Sequence, residues 1–88
     1  MEFRWNDWNI EHVAKHGVEP DEAELVVTQA RAPYPVARSD DKFLVWGPGR
    51  ADRQLQVVFI LDDDGTVFVI HARPLTDTEK RTLRRRRR

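Results

Sequence analysis

The stretch VIHARP, Val69 to Pro74, closes an apolar run with a histidine and an arginine two residues apart. An imidazole moves a proton near neutral pH, and a guanidinium holds a phosphate through two parallel N–H donors. Such a pair is the minimum kit for cutting RNA without a metal. A general base takes the ribose 2′-hydroxyl proton, a cation steadies the crowded phosphate oxygens, and an acid protonates the leaving 5′-oxygen. His71 is the candidate acid or base and Arg73 the candidate phosphate holder. The plainer alternative is that both pair with acids of a neighbouring hairpin or helix.

Other residues offer weaker chemistry. Arg50 and Arg53 lie in the loop GPGRADRQ just before an apolar run, where a basic loop grips phosphate backbone or is merely solvated. GPG itself is no phosphate-binding loop, because it lacks the lysine and the following helix. His12 and His16 have the i, i+4 spacing of metal ligands on a helix, but no third ligand follows in a zinc-type pattern, so no metal is expected. The simpler role for His16, beside Gly17, is to face the carbonyls of a helix end, and for His12 to pack near Trp8. Arg84 to Arg88 would give salt-sensitive, sequence-independent affinity for nucleic acid, or act as a solubilising tail.

The bulk composition limits what these groups can belong to. A chain of 88 residues supports one domain, 1–88, with one modest core. Without cysteine, disulfides, thiolate zinc sites and a cysteine nucleophile are excluded. No run approaches the roughly 20 apolar residues that span a bilayer, and the polar, acidic start MEFRWNDWNIEH is unlike a signal peptide, so a cytoplasmic protein is expected. The zero net charge hides an asymmetry. Residues 1–30 hold two bases against seven acids, whereas residues 31–88 hold thirteen bases against eight acids. A polyanion suits the second half.

The elements that must position the candidates can be read from local pattern. Asn6 or Asp7 caps a helix running to about His16, which Gly17 stops. Pro20 opens a second helix, acidic in its first turn, that ends near Gln29. RAPYPVARSDDK is an extended edge segment or loop, in which Tyr34 to Ala37 pair weakly if at all. Phe43 to Trp46, Leu55 to Leu61 and Val67 to Arg73 are strands, the last two joined in a hairpin by Asp62 to Gly65. LQVVFIL, apolar on both alternating faces, is expected to be central and covered on both sides. Simple alternation puts Val67, Val69, His71 and Arg73 on one face and the core residues Phe68, Ile70 and Ala72 on the other. Thr76 and Glu79 have capping-box spacing for a last helix from about Asp77 into the arginines. The class is α+β: two N-terminal helices, an antiparallel sheet of three to four strands, and a C-terminal helix.

FRWNDWNIEHVAKHGVEPDEAELVV, KFLVWG, QLQVVFILDDDGTVFVIHARPLT and TEKRTLRRR together resemble the BrnT-type toxins of bacterial type II toxin–antitoxin systems over nearly the whole chain. The most specific marks are the early W-N, the KHGV helix end with an acidic run after it, and the A-R that closes the last strand before a basic helix. The resemblance implies a RelE-like fold and a metal-independent, cofactor-free endoribonuclease that cleaves RNA and blocks growth. It also implies a ribbon-helix-helix antitoxin of the BrnA kind, which alone contacts operator DNA, in a hetero-oligomer with the toxin. Arg53, His71 and Arg73 are the implied RNA-cleaving residues, with Lys15, His16, Lys80 and Arg81 as helpers; Arg50 and Arg84 join them as RNA-binding candidates. Many relatives carry serine or threonine where His71 stands, and the first helix lacks their lysine-rich turn. A non-catalytic module that binds RNA or protein through the same face is the rival expectation.

Overall fold

The computed structural model describes residues 1–86. Its elements run α1 (Asp7–Ala14), α2 (Pro20–Thr28), β1 (Val36–Ala37), β2 (Lys42–Pro48), β3 (Gln54–Leu61), β4 (Val67–Pro74) and α3 (Asp77–Arg86). The four strands form one antiparallel sheet in chain order, so the expected α+β class holds. Arg84 to Arg86 continue α3 instead of leaving it as a tail; residues 87–88 of the expected tail lie outside the described residues.

α1 and α3 begin at reciprocal side-chain caps, whereas α2 begins at Pro20 without one. Asn6 and Asn9 satisfy each other's backbone N–H groups in a reciprocal cap at α1, and the buried Asn9 amide also donates to the Arg4 carbonyl at 3.1 Å. Gly17, at φ +72°, turns the chain out of α1 through the left-handed region. Thr76 and Glu79 form the expected reciprocal cap of α3.

The helices sort to the two faces of the sheet. In register, Phe43, Val45 and Gly47 line up with Phe59, Val57 and Leu55, and these with Val69, Ala72 and Pro74. This is the core face. α2 packs on it against β2 and β3, close enough that a Cβ on Gly47 would touch Val26, while α1 lies along β4 with Val13 fully buried. On the other face, Trp46, Gln56 and Arg73 form a cross-strand row, and α3 spans it from Glu79, bonded to Arg73, to Arg86, bonded to Tyr34 and lying over Trp46. Seven residues of helix rise about 10 Å, and two strand spacings also come to about 10 Å. The helix therefore reaches from the edge strand to β2.

Two expectations need correction. β3 is central, but Gln54 to Ile60 alternate between half-buried and buried and Leu61 is exposed, so the second face is only partly covered. Simple alternation also fails in β4. Val58 pairs with His71 while Phe59 pairs with Val69, which leaves Ile70 as an extra residue in a bulge. Val67 and Val69 therefore share the core face with Ala72, whereas Phe68 lies on the second face with His71 and Arg73. Without the bulge, either the valines or Ala72 would leave the core.

Candidate functional site

The bulge presents His71 and Arg73 on the α3 side of the edge strand, and their surroundings differ sharply. Arg73 is clamped. Its guanidinium donates to both carboxylate oxygens of Glu79 at 2.7 and 2.8 Å, to Gln56 Oε1 at 3.2 Å and to the Pro74 carbonyl at 3.0 Å. Gln56 Oε1 accepts from the Trp46 indole as well, at 3.0 Å. The hydrogen bonds from Arg73 pull the Glu79 carboxyl down to about 2, against the opposing effect of burial. Thus the plainer alternative describes Arg73: it pairs with an acid of the next helix.

Arg53 is held in the same manner just before β3, at the same open end of the hairpin. It forms a short ion pair with Glu22 of α2 and donates to the Gly17 carbonyl at 2.9 Å. Glu22 is almost fully buried, yet it is charged. Burial pushes its pKa up, but hydrogen bonds from the Arg53 side chain and the Arg50 backbone outweigh that and leave it below the ordinary carboxylate range. Gly49 makes room for this carboxylate, since a Cβ there would lie 2.6 Å from Glu22 Oε2. Ala51 and Asp52 take left-handed backbone (φ 52° and 59°) as the loop wraps the acid. Arg50 is engaged too, by Asp21 and Glu19. The GPGRADRQ loop is therefore fastened to the N-terminus of α2.

Among the described residues, His71 meets no such acid. Its ring lies edge-on to that of His16, with centroids 5.7 Å apart. The two converge because α1 runs alongside β4 in the same direction: Trp8 stacks near Phe68 at 5.9 Å, and eight residues later His16 reaches His71. That is about 12 Å of helix against roughly 10 Å of strand. His12, between them, stacks on Trp8 at 3.9 Å and bonds the Trp8 carbonyl through Nδ1, as the sequence suggested. Beyond the end of α1, the Gly17 carbonyl accepts from Arg53. Burial lowers the pKa of His71, and the charges of Arg73, His16 and His12 lower it further. A neutral imidazole able to accept a proton results.

The remaining candidates surround this face at the surface. Lys80, partly buried, is 3.9 Å from Asp77, Arg81 bonds Thr78, and Lys15 and Arg84 are exposed. No group of three or more metal-ligating side chains occurs among the described residues, and none of their helices is long and apolar enough to cross a membrane. Sequence reasoning singled out both His16 and His71 but had no signal for their meeting, which depends on the direction of α1 along β4. It also missed Glu22, whose place in an acidic first helical turn looks like ordinary dipole compensation. Comparison with protein-family models, curated proteins and solved structures finds no match to this chain.

Proposed function

We propose that this protein is a metal-independent endoribonuclease of the toxin type, acting through the imidazole pair His16–His71. The observation that carries the reading is the 5.7 Å approach of two imidazoles, one of them held neutral, on the side of the sheet that bears the basic helix α3. His71 takes the proton of a ribose 2′-hydroxyl, whose oxygen attacks the adjacent phosphorus. His16, when protonated, returns a proton to the departing 5′-oxygen. One proton leaves the substrate and one enters it, giving a 2′,3′-cyclic phosphate and a 5′-hydroxyl. Lys80, Arg81 and Arg84 offer cations to the phosphate backbone, while Arg53, Arg50 and Arg73 hold the scaffold. Such an enzyme would be restrained in the cell by a dedicated antitoxin of the ribbon-helix-helix kind, as the sequence resemblance implies.

A second reading, a non-catalytic module that binds RNA or protein, draws support from the same clamps, because two of the three implied catalytic side chains are already neutralised by carboxylates. The deciding experiment is incubation of purified RNA with the protein in EDTA, followed by analysis of the new ends. Cyclic phosphate ends support the ribonuclease. RNA that is bound but uncut favours the module.

A further inference from the structure

The apolar stripe on the core face of β3 outruns its cover. Leu55 and Val57 are fully buried and Phe59 is 4% exposed, but Leu61, next on the same face, is 42% exposed. Past the end of the helical cover lies a well of about 200 Å³, lined almost wholly by apolar surface from Met1, Pro35, Phe43, Phe59, Leu61 and Val67. Phe43 and Phe59 stack across its wall with centroids 5.4 Å apart. A cavity of about 150 Å³ accommodates a benzene ring, so this one admits a single large apolar side chain.

The rim of the well is acidic. Asp62, Asp63 and Asp64 form the turn between Leu61 and Gly65, and the Asp41 carbonyl accepts the Leu61 N–H at 3.1 Å, which brings the Asp40–Asp41 loop to the same end. Asp62 is engaged by Arg4 and Asp64 by Thr66, but Asp40, Asp41 and Asp63 are exposed. Arg4, engaged by Asp62, together with Arg38, Lys42 and the Met1 amino group are the cations at this end, against five aspartates.

We propose that this end of the sheet docks a basic segment of a protein partner, which seats one bulky apolar side chain in the well while its cations face the aspartates. The proposal is independent of the catalytic reading. A second copy of this chain fits poorly. Its basic segment has one apolar residue, Leu83, which is buried in its own fold, and its exposed Trp8 and Ile10 lie on α1 beside Asp7 and Glu11, charges like those of the rim. An anionic lipid surface is repelled for the same reason.

The test titrates the full chain with the pentapeptide Lys-Lys-Phe-Lys-Lys, and separately with Lys-Lys-Ala-Lys-Lys, while amide NMR shifts are followed. Saturable shifts centred on Phe43, Leu61 and Gly65 are expected with the Phe peptide, weakening as salt rises, and about tenfold weaker binding with the Ala peptide. Leu61→Lys, at an exposed position, should weaken the Phe peptide to a similar degree without lowering the melting temperature. Asp40→Asn/Asp41→Asn/Asp63→Asn should flatten the salt dependence. Equal binding of the two peptides, or no saturable shift at these amides, overturns the proposal. So does a concentration-dependent dimer in sedimentation that moves the same amides, because the occupant is then a second copy.

Discussion

Arg53 and Arg73 each meet a carboxylate at hydrogen-bonding distance, whereas His16 and His71 meet each other, with further positive charge nearby. The arginine sites are electrostatically complete. Each fastens an element to the sheet, α2 and its loop in one case and α3 in the other. The imidazole site is incomplete by the same measure, for its neighbours oppose the charged form of His71. Complementary pairs favour stability, while a titratable group perturbed by burial and like charge is a feature of functional sites. Two kinds of side chain that look equally reactive in sequence thus divide into paired and unpaired, and the proposed function gives the chemistry to the unpaired kind.

The comparison breaks first at Glu22. Glu22→Ala would leave the Arg53 guanidinium without its carboxylate and free the loop at Gly49. A loss of about 2–3 kcal/mol is expected, moderated because Arg53 can reach water. In thermal unfolding this is a melting temperature lower by about 10–20 °C. If Glu22→Ala melted like the wild type, the clamp would not be holding the loop.

A smaller effect is expected at Glu79. Glu79→Gln removes the bidentate partner of Arg73 and weakens the cap of α3, at a cost of about 1 kcal/mol in urea unfolding. The pH dependence has a definite sign. A carboxyl with a depressed folded pKa contributes its stability in full above its ordinary value of 4.5 and loses it as pH falls toward about 2. The variant should therefore show a shallower loss of stability across that window; an identical acid limb would contradict the clamp.

The smallest effect sharpens the contrast from the imidazole side. With its folded pKa below 6.5, His71 must lose stability for the protein as pH falls through 6.5, because the unfolded chain binds that proton more readily. His71→Gln should flatten this stretch of the stability curve and leave the neutral-pH melting temperature within a degree or two. Deepening of the slope would mean that His71 is held charged by an acid.

Most of the fold was legible in the sequence because its signals are local. Asn6, Pro20 and the Thr76–Glu79 box mark helix starts, and the Asp62–Gly65 turn marks the hairpin. The faces of β4 were not, since a bulge at Ile70 is invisible to an alternation count that assumes period two. The sequence points Arg53 and Arg73 toward phosphate because it does not reveal which acids fold back onto them: the spacing of Glu79 shows only a cap, and Glu22 lies 31 residues from Arg53. The His16–His71 approach spans two elements far apart in the chain, and no periodicity encodes it.

The most direct measurement is the RNA cleavage rate per folded molecule, in EDTA, for His16→Ala, His71→Ala, Arg53→Lys and Arg73→Lys, with melting temperatures alongside. If the imidazoles do the chemistry and the arginines the holding, both histidine variants lose about 100-fold or more in rate while melting near the wild type. The arginine variants, which exchange a forked donor for a point charge, melt lower but cut at close to the wild-type rate. Histidine variants that cut normally beside arginine variants that are folded and inactive would contradict the division between scaffold and chemistry.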